Sequence, residues 1–529
     1  MTFDLARVPR WALALGAGLA AALAHPPFGV LPGLLGYPLL LWLTDTADEG
    51  RPLRSAFWRG WLAGAAYFGL GTWWIAEAFL VDIVHHGWMA PFAVTLMAGG
   101  IALFWGAACL VYRWIADRTP GGLGLARVLV FAGVLAGLEW LRGHVLTGFP
   151  WNLIGETWRA GSALSQTAAL VGAYGLTWIT LATVCTVVLW REGRGGKITI
   201  GGAAACLAAL FAFGAYRTWN TRFDSNPGEL TVRIVQADIK QSAKYDPAEF
   251  KRIVDAYVGL TSRPYPGGRP ADIVIWPEGA IPDAINSYLA PGTWTLAAIG
   301  GALRPGQTLL VGAYRVEETQ ADYRVFNSLV AVRRTGDSLE PAGVYDKHRL
   351  VPFGEFLPLD NFMSALGVKT LVHVGDGFTS GPRPQPLQPE GLPAFQPLIC
   401  YEALYPGFTR AGANASGIRP YFIVNVSNDA WFGATSGPLQ HLNLASYRAI
   451  EEGLPMIRAT PTGVSTVVDA TGRQTGRALR LGETGVIDTT LPGGRYETPY
   501  RRFGNLPFLL LLLISGLTGL HKRVVWRLK

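Results

Sequence analysis

The apolar residues of this chain are unevenly distributed, and this distribution constrains the fold more than any other feature. They are concentrated in the first 216 residues and in a last block from Leu506 to Leu520. Residues 220–500 have the mixed composition of a globular domain, and such a stretch is long enough to bury a core of its own. The sequence therefore predicts an α-helical transmembrane bundle with one soluble domain inserted before the final span.

Eight apolar segments approach the roughly 20 residues that a helix needs to cross a bilayer. They lie at residues 11–25, 30–44, 57–80, 89–112, 128–147, 163–190, 198–216 and 506–520. We therefore expect about eight spans: seven in a bundle of residues 1–219, then a soluble domain at 220–500, then a final span and tail at 501–529.

Basic residues beside these segments predict the orientation of the chain. Fifteen Lys and Arg residues flank the segments on the N-terminal side, whereas the opposite short loops carry only Arg142 and Arg159. The positive-inside rule then places both termini in the cytoplasm and the soluble domain outside it. Arg7, Arg10 and the apolar run that ends in Ala-Leu-Ala at 22–24 also resemble a cleaved signal peptide. Cleavage there leaves the soluble domain on the same side.

The formal net charge of +8 does not indicate a nucleic-acid partner. Much of the positive charge lies beside apolar segments, where Lys and Arg determine topology. The middle domain also lacks a basic stripe interleaved with aromatic residues. We therefore expect a lipid bilayer as a partner, and no nucleic acid.

Short β-branched runs bounded by Gly, Pro or Asn predict strands in the middle domain. Helical spacing recurs between some of them, for example over residues 440–452, and this alternation favours an α/β layered fold. The predicted strands are Leu230–Ile239, Ile273–Trp276, Thr308–Tyr314, Ser328–Val332, Phe395–Ile399, Phe422–Val426 and Val464–Val468.

Only one of the four cysteines, Cys400, lies in the middle domain. It ends the apolar run Phe395–Ile399, and open α/β sheets build their sites at the carboxyl ends of strands. A lone buried thiol is also compatible with an inert packing role. No second thiol or histidine is near it in sequence, so we expect no metal site.

Two further segments carry groups that a cysteine nucleophile needs. Glu278 follows the apolar run Ile273–Trp276, and Lys347 lies in the stretch from Tyr345 to Glu355. A carboxylate can accept the thiol proton, whereas an ammonium can lower the thiol pKa and stabilise an oxyanion. The alternatives are a helix N-terminal acid for Glu278 and a surface ion pair for Lys347.

The motifs Trp-Pro-Glu at 276–278, Asp-Lys-His at 346–348, Pro-Phe-Gly-Glu at 352–355, Cys-Tyr-Glu at 400–402 and Asn-Asp-Ala-Trp-Phe-Gly at 428–433 resemble the nitrilase superfamily. With the apolar segments, the chain is similar to the apolipoprotein N-acyltransferases over nearly its whole length. This resemblance implies an α-β-β-α sandwich for the soluble domain and a location in the bacterial inner membrane, with that domain in the periplasm.

The resemblance also implies roles for individual residues. Glu278 is expected to be the general base, Lys347 the oxyanion lysine and Cys400 the nucleophile. Supporting roles fall to Glu355, Tyr401 and Glu402, and substrate contacts to Tyr245, Trp151 and Trp431. The chain departs from the family at Tyr245, where Trp is usual, and at residues 460–462, where Asn is usual.

The expected reaction is transfer of a fatty acyl chain by a cysteine thioester, without a cofactor. The donor is a phospholipid such as phosphatidylethanolamine, and the acceptor is the α-amine of the diacylglyceryl-cysteine at the N-terminus of an apolipoprotein. The same three residues would also serve a membrane-tethered nitrilase or amidase that hydrolyses a carbon–nitrogen bond, and a scaffold with an inactive domain is a third possibility. Nothing in the sequence demands an oligomer.

Overall fold

The computed structural model describes residues 8–119, 122–220, 230–266, 268–319, 322–357, 377–493 and 496–527. The chain divides into two compact units. One unit combines Met1–Asn220 with Thr498–Lys529 and is helical, and the other is Thr221–Glu497 and contains the sheets.

The helical unit contains nine helices before the sheet unit and two after it, counted over the described residues. They are α1 Arg10–Leu23, α2 Gly36–Asp45, α3 Pro52–Gly71, α4 Ile75–Leu80, α5 Ile83–His86, α6 Ala90–Asp117, α7 Arg127–Arg142, α8 Ala168–Val184, α9 Gly193–Asn220, α15 Pro499–Phe503 and α16 Leu506–Arg527.

Every predicted apolar segment contains a helix, but several boundaries differ from the prediction. The segment 57–80 is not one span, because α3 ends at Gly71 and the chain turns before α4. The segment 128–147 is helical only as far as Arg142. The segment 163–190 is helix α8 between two 3₁₀ turns, with a non-helical backbone at Gly172.

Four helical stretches of the described chain are long and apolar enough to cross a membrane, and two apolar helices are shorter. The four are Ile83–Asp117, Gly124–Arg142, Leu164–Arg191 and Gly193–Asn220, and the shorter two are Arg10–Leu23 and Leu506–Leu520. Several apolar helices are therefore present, while the count of about eight spans stays a prediction.

Close packing inside the helical unit depends on small residues. A Cβ on Gly18 of α1 would lie 1.9 Å from the carbonyl oxygen of Ala63 on α3, so these helices approach each other along their backbones. The last helix belongs to the same unit, because Trp178 donates to Ser515 at 2.9 Å.

Two sheets form the second unit. The first has the strand order β11-β1-β2-β3-β4-β5 and the second β10-β9-β8-β7-β6. The strands are β1 Thr231–Gln236, β2 Ile273–Trp276, β3 Thr308–Thr319, β4 Asp322–Thr335, β5 Ser338–Asp346, β6 Phe395–Ile399, β7 Phe422–Val426, β8 Met456–Ala459, β9 Ser465–Val468, β10 Gln474–Leu479 and β11 Gly485–Thr490.

The alternation of side chains along the strands builds two cores. In β2, Ile273 and Ile275 belong to a cluster between the two sheets, where Phe395 and Val424 of the second sheet also lie. Val274 and Trp276 point to the opposite face and join a cluster with helix residues. The layers are therefore helix, sheet and sheet.

The helices of this unit are α10 Phe250–Thr261, α11 Ile285–Tyr288, α12 Trp294–Ala302, α13 Phe408–Ser416 and α14 Gly437–Glu452. Helices α10 and α12 cover the outer face of the first sheet. Helix α14 reaches the second sheet, because Arg448 donates to the carbonyl of Leu404 in the turn after β6 at 2.7 Å.

The seven predicted strands are present, but β5, β8, β10 and β11 were not predicted. Strand β5 carries Pro341 and Gly343, which disfavour a strand in the middle of a sheet, and it lies at the edge of the first sheet, where proline is tolerated.

Candidate active site

Polar residues that follow strands of both sheets converge on one site. Glu278 comes two residues after β2, Lys347 directly after β5 and Cys400 directly after β6. Strands β6, β7 and β8 are parallel, as are β1, β2 and β3, so their carboxyl ends meet at one edge of each sheet. The structure therefore brings together the three residues that the sequence singled out.

Lys347 lies between two carboxylates. Its Nζ is 2.8 Å from Oε1 of Glu355 and 3.4 Å from Oε1 of Glu278, and its side chain is almost completely buried. Burial alone would lower the pKa of Lys347, but the carboxylates of Glu355 and Glu278 hold that pKa well above its ordinary value. The lysine is therefore a fixed cation, and the surface ion pair is excluded as its explanation.

Asn327 joins the same network, and sequence analysis missed it. Its Nδ2 donates to Oε1 of Glu278 at 2.7 Å and to Oε1 of Glu355 at 2.9 Å. The second oxygen of Glu278 accepts from the backbone N–H of Asn428 at 2.7 Å. The sequence did contain a signal for Asn327, because it is an amide within the apolar strand β4. A buried polar side chain requires hydrogen-bond partners, and this would have indicated a polar site.

The backbone of Cys400 is strained. Its φ is +47°, a conformation that costs energy for any residue except glycine and that occurs mostly at functional sites. The residue begins a 3₁₀ turn, Cys400–Leu404, directly after β6, and it is half-buried. This sharp turn presents the thiol at the strand end, beside Glu278 and Lys347, whose charges both act on it.

Lys347 does lower the pKa of the thiol, as the sequence predicted, but other influences on that pKa are larger. Burial and the carboxylate of Glu278 raise the pKa of Cys400 to about 12, although Lys347 opposes them. Burial is the largest of these influences, and the negative charge of Glu278 comes next. The resting cysteine is therefore a thiol, with a carboxylate in place to receive its proton.

Glu402 connects the lysine segment to the cysteine turn. Its Oε1 accepts from the backbone N–H of His348 at 2.7 Å and from the hydroxyl of Tyr345 at 2.9 Å, while its Oε2 accepts from the N–H of Ile399 at 2.9 Å. Burial raises the pKa of Glu402 to about 7 against these hydrogen bonds. Its contacts are those of a positioning residue.

A buried group behind the cysteine was also missed by sequence analysis. Asp429 accepts from Arg458 at 2.8 Å and from Ser427 at 2.8 Å, and it lies 3.0 Å from Nδ1 of His441. The other ring nitrogen of His441 is 3.3 Å from the carbonyl oxygen of Cys400. This group supports the strained turn from its far side.

The residues expected to contact substrate are distributed over both units. Tyr245 ends a 3₁₀ turn after β1 and is 43% exposed, and its hydroxyl accepts from Gln241 at 3.2 Å. Gln241 in turn accepts from the side chain of Asn428 at 2.9 Å. The side chains of Gln241 and Asn428 therefore link Tyr245 to the residue whose backbone N–H donates to Glu278.

The other aromatic residues occupy more buried places. Tyr401 is buried against Tyr405, with ring centroids 5.3 Å apart, and Trp431 is half-buried in the turn after β7. Trp151 is buried within the helical unit, 4.4 Å from the ring of Trp74. A substrate contact of Trp151 or Trp431 stays a prediction.

Comparison with known proteins defines the class. The family model described as carbon-nitrogen hydrolase matches residues 231–500, which include both sheets and all the residues of the site. The solved structure of an amidase of the nitrilase superfamily from Nesterenkonia is 18% identical and covers 53% of this chain and 95% of its own, with a TM-score of 0.36. By the family model alone, the second unit is a carbon-nitrogen hydrolase domain, which is called the nitrilase-like domain below.

The helical unit makes the assignment more specific. The model described as the apolipoprotein N-acyltransferase N-terminal domain matches residues 17–186. An apolipoprotein N-acyltransferase from Caulobacter vibrioides is 60% identical over 97% of this chain and 94% of its own length. One from Brucella melitensis is 40% identical over 95% and 94%. The chain belongs to the apolipoprotein N-acyltransferase family and is a membrane protein with acyltransferase function.

Proposed function

We propose that this protein transfers a fatty acyl chain from a phospholipid to the α-amine of a diacylglyceryl-cysteine, with Cys400 as the carrier. The observation that carries the proposal is the convergence of Cys400, Glu278 and Lys347 at the strand ends of a nitrilase-like domain that is joined to apolar helices. A thioester stores the acyl group in activated form while two bulky lipids exchange.

In the first half-reaction, Sγ of Cys400 attacks the carbonyl carbon of the ester as Glu278 takes the thiol proton. Lys347 directs two of its three N–H groups to carboxylates, and the third stabilises the oxyanion. The carbon–oxygen bond then breaks, Glu278 returns the proton to the leaving alkoxide, and a lysophospholipid departs. Cys400 is left as a thioester.

In the second half-reaction, the neutral α-amine of the acceptor attacks the thioester carbonyl. Glu278 takes a proton from the amine, and the carbon–sulfur bond breaks. The proton then passes to the sulfur, which restores the thiol. The products are an amide and the resting enzyme, so no cofactor is consumed.

The helical unit of the same chain favours transfer over hydrolysis of a small amide. Helix α9 is apolar along its length, yet almost none of its surface is buried in the protein. Leucines of α16, such as Leu509 and Leu513, are half-exposed. Apolar helices without a protein partner require lipid around them. The family consists of N-acyltransferases and not of amidases, which supports the same choice.

The same features support a topology. We propose about eight spans in the bacterial inner membrane, with both termini in the cytoplasm and the nitrilase-like domain in the periplasm, as the distribution of Lys and Arg requires. We also propose that the protein acts as a monomer, which is supported by the origin of Cys400, Glu278 and Lys347 in one chain.

The proposal is tested by incubating the purified protein with phosphatidylethanolamine that carries a labelled acyl chain. The label should become attached to the protein and should be released by hydroxylamine, which cleaves thioesters. Cys400→Ala should take up no label, and Glu278→Gln should take it up on the order of 10²-fold more slowly, because the thiol keeps its proton.

Addition of a diacylglyceryl-cysteine peptide should move the label from the wild-type enzyme to the peptide as a hydroxylamine-resistant amide. Labelling of Cys400→Ala at the wild-type rate, or release of the label only as free fatty acid, would contradict the proposed transfer.

A further inference from the structure

Lys244 is a half-buried residue with a buried ammonium, and the reaction described above does not use it. It lies in the 3₁₀ turn Gln241–Tyr245, and its Nζ is buried without a hydrogen-bond partner among the described residues. A Cβ placed on Gly279 would lie 3.5 Å from that nitrogen, so the ammonium adjoins the residue that follows the general base.

The electrostatics of Lys244 differ from those of Lys347. Glu278 attracts Lys244 without forming an ion pair with it, since their charged atoms are not in direct contact. Burial outweighs this attraction and lowers the pKa of Lys244 to about 8. A buried ammonium is costly when none of its three N–H groups has a partner in the described part of the chain, and a bound anion would remove that cost.

An anion that enters with a substrate has the charge that such an ammonium binds. Of the two substrates in the proposed function, on which this inference rests, only the donor carries a permanent anion, its phosphodiester. That group is joined to the reacting ester by the glycerol backbone alone, so it accompanies the ester to Cys400. The acceptor instead brings an amine, which a neighbouring cation keeps in its neutral, nucleophilic form.

We propose that Lys244 binds the phosphodiester of the phospholipid acyl donor beside Glu278. Lysine binds phosphate as a point charge and does not depend on one orientation of the group. Through this contact the enzyme selects esters that carry a phosphate. The contact does not discriminate between the headgroups that are attached to that phosphate. Lys244 is therefore a specificity-determining residue of the first half-reaction.

The test compares two donors with the same acyl chains, dioleoylphosphatidylethanolamine and dioleoylglycerol, in detergent micelles with the full-length protein. The measured quantity is the ratio of the two single-turnover rates of thioester formation. Lys244→Met should lower this ratio on the order of 10- to 100-fold, which corresponds to one hydrogen bond to a charged group. Lys244→Arg should restore part of the ratio.

The matched control is Lys251→Met, because Lys251 is an exposed lysine on the neighbouring helix α10 and pairs with Asp255. This control should keep the wild-type ratio. Equal loss of both rates in Lys244→Met, or an unchanged ratio, would overturn the proposal. So would stimulation of dioleoylglycerol turnover by inorganic phosphate, since the site would then serve a free ion. Absence of thioester from wild-type protein with either donor would instead contradict the proposed function.

Discussion

The reactivity of Cys400 depends on its surroundings more than on its own ionisation. Its pKa is raised to about 12 by burial and by Glu278, so the thiolate is scarce at neutral pH. The positive φ of the residue orients the thiol at the strand end, and the carboxylate beside it can accept the thiol proton during attack. In the proposed mechanism, proton transfer to Glu278 therefore replaces the preformed thiolate that many cysteine enzymes use.

This arrangement predicts the pH dependence of thioester formation. A raised pKa favours the protonated thiol, and that proton dissociates only as the pH approaches about 12. With a fatty-acid p-nitrophenyl ester as donor, which carries no phosphate, the single-turnover rate should be flat from about pH 7 to 9. A rise of the rate with a midpoint near 8, as for a free thiol, would contradict the role of Glu278 as base.

Tyr245 permits a second prediction at the residue scale. Its half-exposed ring lies on the same turn as Lys244, and its hydroxyl is joined through Gln241 to Asn428. If the ring covers the acyl chain, Tyr245→Ala should slow transfer on the order of 10-fold, as expected for the loss of one buried aromatic contact. Tyr245→Trp should stay active.

The melting temperature of each variant separates this covering role from simple packing. A side chain that is 43% exposed contributes little to stability, so Tyr245→Ala should melt within a few degrees of the wild type. Full activity of Tyr245→Ala, or a loss of activity that follows the loss of stability, would support packing on the domain surface instead.

The sequence predicted those site residues that stand directly after apolar runs. Glu278 and Cys400 were found in this way, and Lys347 and Glu355 through a motif near in sequence. Asn327, His441 and Arg458 were not assigned roles, because their contacts join residues far apart in the chain. The raised pKa of the thiol was not predicted either, since it depends on how deeply the fold buries Cys400 and on the approach of Glu278.

At the scale of elements, the apolar segments were located correctly and their ends were not. Hydropathy reports where a helix is apolar, whereas its end depends on local contacts. Helix α7 ends at Arg142, and a Cβ on the next residue, Gly143, would lie 2.0 Å from the hydroxyl of Tyr174. Strands were also predicted only where their sequence is regular. The edge strand β5 was not predicted, because it contains a proline and a glycine.

The end of α7 contains a buried ion pair that sequence analysis treated as a loop charge. Arg142 pairs with Glu139, and both side chains are almost completely buried. Glu139 also accepts from Trp105 at 2.8 Å, and Arg142 donates to the carbonyl of Trp151 at 3.0 Å. The pair therefore ties α6, α7 and the Trp151 loop together.

Breaking this pair should destabilise the helical unit. Glu139→Gln leaves the guanidinium of Arg142 buried without a counter-charge, which should lower the free energy of unfolding by about 3 kcal/mol. In the double variant, Arg142→Met should lower the free energy of unfolding by less than the same substitution does in the wild-type protein. The measurement is thermal unfolding in detergent, with the exposed Arg159→Gln as control. Additive effects of the two substitutions would contradict the coupling.

At the scale of the whole molecule, one chain combines a membrane unit with a catalytic unit inserted near its end. The chain leaves the first unit after α9 and returns to it at α15, so residues on both sides of the insertion build the same bundle. For the proposed function, such an insertion keeps the catalytic domain joined to the membrane that holds both lipid substrates, since neither lipid leaves a bilayer readily.

The orientation of this assembly is the last prediction. Arg142 belongs to a buried pair, so the loops that are predicted to be periplasmic carry even less free positive charge than the sequence count suggests. An epitope inserted at the exposed turn around Gly336, between β4 and β5, should therefore bind an antibody that is added outside intact spheroplasts, where the periplasmic face of the inner membrane is exposed. A fluorescent protein that folds only in the cytoplasm should be bright when fused after Lys529. Enzyme activity of both fusions provides the control for correct insertion. A dark C-terminal fusion, or an epitope reached only after lysis, would reverse the predicted orientation and place the site on the cytoplasmic side of the membrane.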